Sequence, residues 1–595
     1  MPWTMVTDPF DSRGFSALVA CLSILFLFWG LAYRRMKGHW AAPIALTIAV
    51  ATAVFAFGMP ARLALLATLN GAMFGLWPIG WIVIAGLFVY NLSVRTGQFE
   101  VIKNSLASLT DDRRIQALLI AFAFGAFIEG CAGFGTPVAI TAAMLMGLGF
   151  PPLQAAGLCL LANTAPVAFG SIGIPILVGA QTSGVDAMAL SQMVGRTLPP
   201  VSFIIPFYMV TVMSGWRKSL QVWPAAAVAG GSFAVAQGLT SNYLGPMLPD
   251  IVSSIAAIVC LTVFLRVWRP KVSWVFSHEA AASGRARLKY TGGQVLRAWA
   301  PIIILSILVA AWGVRPIKEA IDSYTTIKFS IPGLHEMVVR DGKPMAAAFN
   351  LNLLSSSGTA VFLAALASIP VMGASLGTAV RVFGQTVRTV RWPLVTISAI
   401  LGFAYIMNFS GMAIALGSAF ALTGVLFPFF APFLGWRGVF MTGSDTSSNA
   451  LFGKLQEVTA TQIGVDPVIT VSANSTGGVC GKMISPQSLA VATASVGLVG
   501  HESDIFRFTI KHSLILTTVI GVIVYLQAHV LTWIVPAREP AAAAAASAGA
   551  VAAAASPAEG LLYLAVTAAL VLIVAATSIA VGRSLASSSP AAGAD

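Results

Sequence analysis

Charged residues are scarce in this chain. Only 9% of its 595 residues are Asp, Glu, Lys or Arg, whereas 57% are hydrophobic, and the mean hydropathy is +0.86. Soluble domains carry about 25% charged residues, so the composition excludes an ordinary soluble fold and predicts a polytopic helical membrane protein. The net charge of +13 does not predict nucleic-acid binding, because the Lys and Arg residues cluster in short connections between apolar segments and therefore report topology.

Cysteine and histidine are also few and scattered. The five cysteines all lie in apolar or glycine-rich segments without a CxxC pair, which predicts neither disulfides nor a metal site. The six histidines do not cluster, so no metal and no cofactor is predicted. A membrane-embedded hydrolase, suggested by Gly443-Ser444 near Asp445, would need a base within reach. No histidine falls mid-span in the second half, so no enzyme activity is predicted.

Apolar segments of the length that a bilayer requires recur along the chain. At roughly 20 residues per crossing they predict about 12–14 spans, in an all-α architecture. The predicted units are N-terminal spans (1–62), a first repeat (63–215), connecting spans with an external loop (216–380), a second repeat (381–536), an Ala-rich linker (537–560) and one extra C-terminal span (561–595).

Basic connections set the predicted orientation. The connections at Arg34–Lys37 and Arg95–Arg114 are basic and two spans apart, so we expect both to be cytoplasmic, with the N-terminus outside and the C-terminus inside. The next cytoplasmic connection is at Arg217. The number of crossings between Arg95–Arg114 and Arg217 must be even, whereas three plain helices would give an odd number. One interrupted segment is therefore predicted to enter the membrane and return, or to cross twice.

The stretch GAFIEGCAGFGTPVAI, from Gly125 to Ile140, predicts a break in a buried helix. Its glycines and Pro137 disfavour a continuous helix. Broken backbone at membrane depth is tolerated only where it is buried in protein or lines a watery cavity. Glu129 is the only charged residue of the surrounding apolar segment, which makes it a candidate functional residue. The alternative is a glycine-rich packing face with a Glu that reaches the interface.

Three pieces of the first half recur in the second. Asn91-Leu92-Ser93 matches Asn408-Phe409-Ser410, Gly125–Gly130 matches Gly438–Gly443, and Ala162-Asn163-Thr164 matches Ala473-Asn474-Ser475. All three occur in the same order at nearly one offset. The loop charges predict that the two copies are inverted. Inverted repeats with broken helices are the architecture of secondary transporters.

Polar residues beside the predicted breaks are candidates for substrate binding. The free N–H groups at a helix break can hold an anion, and hydroxyl and amide groups add donors, although the same residue types also cap helix ends. Lys482 would offer a point charge to a carboxylate, or it pairs with Asp445 or Glu129. The candidates are Gly133, Asn163, Thr164, Ser447, Ser448, Asn449, Asn474, Ser475, Thr476 and Lys482.

These motifs resemble a known family. GAFIEGCAGFGTPVAI, ANTAPVAFGSIGIPI, TGSDTSSNALF and GKMISPQSLAVA are similar to the characteristic stretches of the bacterial lactate permeases, over about Phe15 to Pro536. The resemblance implies a proton-coupled importer of L-lactate in the bacterial inner membrane, with D-lactate and glycolate as further substrates. The expected partners are a small monocarboxylate, a proton and the lipid bilayer. The alternative is a sodium-coupled carboxylate transporter, because Asn, Ser and Thr clusters at breaks also suit Na⁺. The Ala-rich tail and last span lie beyond the usual end of the family.

Proton coupling needs a titratable carrier. Importing an anion against an inside-negative potential costs about 2.3 kcal/mol per 100 mV, and one co-transported proton cancels that charge. A carboxyl group in a low-dielectric site can hold such a proton. Glu129 and Asp445 are the candidates, and Glu129 is favoured because its neighbours in the sequence are the more apolar. The alternative is a purely structural pair with Lys482.

Overall fold

The N-terminal part of the chain is a series of helices joined by short turns. The computed structural model describes residues 2–34, 36–133, 135–276, 290–313, 315–340 and 342–537, so most of the predicted Ala-rich linker and the whole extra C-terminal span lie outside the described residues. The helices up to the second predicted cytoplasmic connection are α1 (Arg13–Phe28), α2 (Gly38–Phe55), α3 (Ala61–Phe74), α4 (Trp81–Arg95) and α5 (Gln98–Ala107).

The following segment contains the predicted breaks. A fully buried π-helical stretch, Leu118–Phe124, joins its first two helices. The helices of this segment are α6 (Arg113–Ala117), α7 (Gly125–Cys131), α8 (Thr136–Gly147), α9 (Pro152–Ala162), α10 (Gly170–Ser183) and α11 (Ala187–Ser214). The helices that connect it to the second half are α12 (Trp216–Ser219), α13 (Trp223–Tyr243), α14 (Pro249–Val267), α15 (Gly292–Gly313), α16 (Arg315–Thr325) and α17 (Ser357–Met372).

The second half also contains long helices and interrupted ones. Its helices are α18 (Leu376–Ser410), α19 (Met412–Phe420), α20 (Phe427–Thr442), α21 (Asp445–Gln462), α22 (Pro467–Lys482), α23 (Pro486–Ser495) and α24 (Glu502–His529). Within the described ranges, 11 helices are long and apolar enough to cross a membrane, or up to 12 with the pair Pro152–Ala162 and Val167–Ser183, which is bent by 64°. The predicted polytopic helical membrane architecture is confirmed.

Two connections have more regular structure than the sequence predicts. At 35 residues and about 1.5 Å per residue, α18 is longer than a bilayer core is thick. The basic stretch Arg381–Arg391 lies in the first part of this helix. The polar connection after α15 contains short strands in place of plain loop. The strands are β2 (Thr326–Ser330), β3 (Val338–Arg340), β4 (Lys343–Pro344) and β5 (Ala348–Asn352).

The strands also locate the N-terminus. β1 (Trp3–Thr4) pairs in parallel with β3, with Trp3 opposite Val338, and β2 pairs antiparallel with β5. The N-terminus and the polar connection therefore lie on the same side of the molecule, as expected if both are external. The external position of the N-terminus and of this connection stays a prediction.

Basic connections that are distant in sequence also meet one another. The Arg114 guanidinium pairs with the Asp112 carboxylate at 2.6 Å and donates hydrogen bonds to the backbone carbonyls of Lys218 and Val272. The Arg114 side chain is fully buried. The buried Arg114 side chain thus joins three basic connections through these hydrogen bonds.

Three segments form the centre of the bundle. All residues of 114–133, 155–170 and 468–485 are buried, whereas the outer spans expose part of their surface. A helix buried on every face must be surrounded by protein, not lipid. The predicted breaks lie in or next to these three segments, as backbone interruptions at membrane depth require.

Glycines allow two central helices, α20 and α22, to pack closely. A Cβ on Gly477 would overlap the backbone carbonyl of Pro432, and one on Gly481 would overlap that of Trp436. Small residues permit such close approach between helices in membranes. This contact fixes the end of α22, where Lys482 lies, against the end of α20.

Candidate functional site

Four chain interruptions meet at one point in the centre of the bundle. They are the end of α7, the bend before α10, the turn between α20 and α21, and the turn between α22 and α23. Gly443, in a left-handed conformation with φ of 72°, ends α20, and Ser444 begins α21 by accepting a hydrogen bond from the Ser447 backbone N–H. The glycine- and proline-rich motifs of the sequence thus supply the walls of a single site.

A small cavity of about 40 Å³ lies between these helix ends. One water molecule needs about 10–15 Å³ on the same measure, so the cavity has room for about three waters. Residues from both predicted repeats line it: Glu129, Val167, Gly170, Ser171, Pro175, Gly443, Ser444, Asp445, Thr446, Lys482 and Gln487.

Three charged side chains face this cavity. Glu129 and Asp445 are each 3% exposed and Lys482 is 7% exposed. Lys482 is close enough to act electrostatically on both carboxyl groups. Its ammonium nonetheless makes no ion pair and donates no hydrogen bond among the described residues. The alternative role of Lys482, a structural pair with either acid, is therefore not formed as a direct contact in this conformation.

Asp445 is held by donors from two helices. One of its oxygens, Oδ2, accepts hydrogen bonds from Ser475 Oγ at 2.6 Å and from Asn449 Nδ2 at 3.4 Å. The other oxygen, Oδ1, is buried and has no partner in the described part of the chain. Gly478 makes room for it, since a Cβ there would overlap that oxygen.

Glu129 lies in a more apolar place. Its Oε2 is buried without a hydrogen-bond partner among the described residues. A Cβ on Gly170 would come within 2.7 Å of its Oε1, so a glycine is needed where the bend before α10 approaches the acid. Asn163 lies beside Glu129, yet neither amide atom of Asn163 has a partner at hydrogen-bond geometry in the described ranges.

The other predicted site residues surround the cavity at greater distance. Asn449 Nδ2 also donates to the Pro175 carbonyl, Asn474 Nδ2 donates to Asn449 Oδ1, and Ser448 Oγ donates to the Gly435 carbonyl. Together these bonds join α10, α20, α21 and α22. The remaining predicted residues are Gly133, next to Ser171; Thr164, whose buried hydroxyl has no partner among the described residues; Ser447, in the first turn of α21; and Thr476, bonded within α22.

One sequence expectation about these residues is corrected. Asn474, Ser475 and Thr476 were expected beside a break, but α22 runs continuously from Pro467 to Lys482 and they lie in its middle. The break comes after Lys482. Close packing against α20 stabilises this glycine-containing helix, which its local sequence disfavours.

Three further residues of the quoted motifs line the cavity but were not among the predicted site residues. Ser171, Thr446 and Gln487 each belong to a quoted motif and line the cavity. Ser171 and Ile172 adopt left-handed backbone conformations with φ of 48° and 60°. A left-handed conformation is uncommon for residues other than glycine and rarest for a β-branched residue such as Ile172. It costs about 1–3 kcal/mol per residue. Strain of this kind depends on tertiary packing, so the sequence pattern alone did not distinguish Ser171.

Comparison with known proteins identifies a family for this chain. A model of the L-lactate permease family matches residues 16–531. The chain is 50% identical over 552 residues to the glycolate permease GlcA of Escherichia coli, covering 89% of this chain and 99% of that protein. It is 49% identical over 563 residues to the L-lactate permease of Bacillus subtilis, covering 90% of this chain and 100% of that protein. Among solved structures, MtrF of Neisseria gonorrhoeae, from a class of antimetabolite efflux pumps, matches with a TM-score of 0.43 and 15% identity, covering 79% of this chain and 85% of that one.

Proposed function

This chain belongs to the L-lactate permease family, and from that premise we propose that it is a secondary active transporter that imports lactate by proton symport. L-lactate is the proposed main substrate, with D-lactate and glycolate as further substrates, since relatives at about half identity are named L-lactate and glycolate permeases. The bacterial inner membrane is its proposed location.

The observation that carries this proposal is the unpaired ammonium of Lys482. It faces a central cavity together with two buried carboxyl groups but makes no direct ion pair in the described part of the chain. A buried cation without a partner is costly, and a substrate carboxylate would supply that partner. The substrate hydroxyl would face the Ser171, Ser444 or Thr446 hydroxyls, which line the same cavity.

The charges of the cavity also suggest why anion and proton bind together. With Glu129 and Asp445 both ionised, the site with Lys482 carries a net charge of −1, and a bound lactate would make it −2. Protonation of one carboxyl group removes one negative charge from this low-dielectric site. Lactate binding therefore favours proton binding, and by linkage the proton favours lactate. This reciprocity is the thermodynamic basis of symport.

Glu129 is the proposed proton carrier. Hydrogen bonds donated to a carboxylate favour its charged form. Asp445 receives two such bonds, whereas the Glu129 Oε2 receives none from the described residues. Asp445 thus suits a permanent negative charge near Lys482, and Glu129 suits a group that gains and loses a proton.

The same charges disfavour dicarboxylates. The cavity has one cation, Lys482, and two acids, so a second substrate carboxylate would face like charge. Its small volume also favours a solute of few heavy atoms. We expect saturable lactate uptake by reconstituted protein that glycolate inhibits and succinate does not. Strong inhibition by succinate at equal concentration would contradict the proposed site.

Coupling to sodium is tested in the same vesicles. Lactate uptake is measured at fixed pH with and without sodium, and then with an inward proton gradient in sodium-free buffer. We expect the proton gradient to drive accumulation and sodium to have no effect. Uptake that requires sodium at constant pH would favour the sodium-coupled alternative.

A further inference from the structure

A third buried acid, Asp250, lies behind Glu129 and is not part of the cavity wall. Asp250 is in the first turn of α14 and is 1% exposed. Neither of its carboxyl oxygens has a hydrogen-bond partner among the described residues. An acid in the first turn of a helix commonly accepts hydrogen bonds from that turn's N–H groups, but Asp250 does not. It therefore does not cap α14.

Asp250 contacts the helix that carries Glu129. A Cβ on Gly130 would come within 2.8 Å of the Asp250 Cβ, so the absence of a side chain at Gly130 brings α14 against α7. Glu129, the preceding residue, is close enough to Asp250 for the two acids to interact electrostatically. One face of α7 thus presents Glu129 to the cavity, while the adjoining residue touches Asp250.

Few other titratable groups face Asp250 from the helices packed around it. On α7 they are Glu129 and the Cys131 thiol. The buried stretch Leu118–Phe124 and α10 contain no titratable residue, and α13 contains only Tyr243, at its end. None of these described helices supplies a cation to neutralise an ionised Asp250. An isolated buried carboxylate is strongly disfavoured, so Asp250 is suited to hold a proton.

We infer that Asp250 is the second station of the coupled proton, which moves between the carboxyl groups of Glu129 and Asp250 while lactate occupies the cavity. The two carboxyl groups are not hydrogen-bonded to each other in this conformation, so the transfer runs through one bridging water. In one direction the O–H bond of the Glu129 carboxylic acid breaks and its proton passes to that water, which gives one of its own protons to Asp250; an O–H bond forms on the Asp250 carboxylate and Glu129 is left ionised. The reverse step restores the first state. This inference rests on the proposed proton symport and adds a residue outside the two predicted repeats to the proton path.

The test is Asp250→Asn, which keeps the shape of the side chain and removes its titration. Reconstituted protein is assayed for lactate exchange at equal pH and for accumulation under an inward gradient of one pH unit, which drives about tenfold accumulation in a one-to-one symport. We expect the variant to exchange lactate with unchanged apparent affinity, because Asp250 does not line the cavity. Its ratio of inside to outside lactate concentration should, however, stay at about one.

Asp186→Asn is the matched control. Asp186 is an exposed acid that caps the start of α11 through the Ala189 backbone N–H, and asparagine caps a helix equally well. This variant should accumulate lactate as the wild type does. If Asp250→Asn also keeps full accumulation with an unchanged pH dependence of exchange, the relay is wrong. If the wild type itself does not accumulate lactate under the gradient, the proposed symport fails instead.

Two further measurements do not depend on the folding of the Asn variant. Asp250→Glu retains a titratable group and should restore coupling with a shifted pH profile of exchange; an unchanged profile would argue against a relay. In the wild type, a hydrophobic carbodiimide, which reacts with protonated buried carboxyl groups, should modify both Glu129 and Asp250 when the labelled peptides are analysed by mass spectrometry. Reaction at Glu129 without reaction at Asp250 would overturn the inference.

Discussion

Lys482 is the residue on which anion binding depends in the proposed site. Lys482→Gln removes the charge but keeps a polar side chain of similar length. An interaction with a charged group contributes about 1.5–3 kcal/mol, so we expect the apparent affinity for lactate to fall by about 10- to 100-fold. Binding is measured in detergent, as the protection against thermal unfolding that lactate gives the protein, and in vesicles, as the KM of lactate exchange.

The control for Lys482 is a lysine outside the cavity. Lys454 pairs with Glu457 on α21 at 2.6 Å and does not line the site. Lys454→Gln should therefore leave the KM of exchange unchanged. An equal KM in Lys482→Gln and wild type would show that the substrate carboxylate binds elsewhere.

Glu129 carries a separate prediction about energy coupling. Glu129→Gln keeps the shape of the side chain and removes the proton site, so pH-driven accumulation should fall from about tenfold to about onefold. Exchange of lactate across the membrane should stay measurable, because exchange requires no net proton movement. If accumulation keeps its full pH dependence, Glu129 is not the carrier, and Asp445→Asn is the variant that should then lose it.

Among the elements, the breaks at the ends of α7, α9 and α20 were predictable from sequence. Each break is marked by glycine or proline, whose backbone preferences act locally. The continuous course of α22 through Asn474 was not predictable, because it depends on packing against α20. The contact of Asp250 with Gly130 was not predictable either, because it also depends on tertiary packing. In the sequence Asp250 only ends a polar connection, and Gly130 is 120 residues away.

Close packing of α20 on α22 can be tested with one added methyl group. Gly477→Ala places a Cβ onto the Pro432 carbonyl, and overpacking of this kind costs about 1–3 kcal/mol. We expect a lower midpoint of thermal unfolding in detergent and weaker lactate exchange, because Lys482 is on the same helix.

The control for Gly477 is another helical glycine. A Cβ on Gly377, in the first turn of α18, would meet nothing within 4 Å. Gly377→Ala should therefore leave the unfolding midpoint unchanged or raise it slightly, since alanine is the better helix former. Equal midpoints for both variants would mean that the α20–α22 contact is loose enough to accept a side chain.

Across the whole molecule, two matched asparagines of the predicted repeats each bond to the other half of the chain. Asn91, near the end of α4, donates to Thr386 Oγ1 on α18. Asn408, near the end of α18, donates to the Thr182 carbonyl on α10. Each asparagine thus bonds to the other half of the molecule. The matching of Asn91 with Asn408 and the inverted orientation of the two copies both stay predictions.

The working unit of the molecule should end before its tail. The family model ends at residue 531, relatives aligned over 99–100% of their own length cover 89–90% of this chain, and every residue of the cavity lies between Glu129 and Gln487. The last described helix, α24, contributes its Ser513 hydroxyl as a hydrogen-bond donor to the Cys480 carbonyl on α22, so it belongs to the core and must be kept.

A chain stopped after Arg538 retains all of these contacts. We therefore expect it to insert, to exchange lactate with an unchanged KM and to accumulate lactate under a proton gradient as the full chain does. Membrane levels measured by quantitative blotting are the control, because loss of uptake at normal levels would show that residues after 538 support the core, whereas loss of both uptake and membrane protein would show that they are needed for assembly.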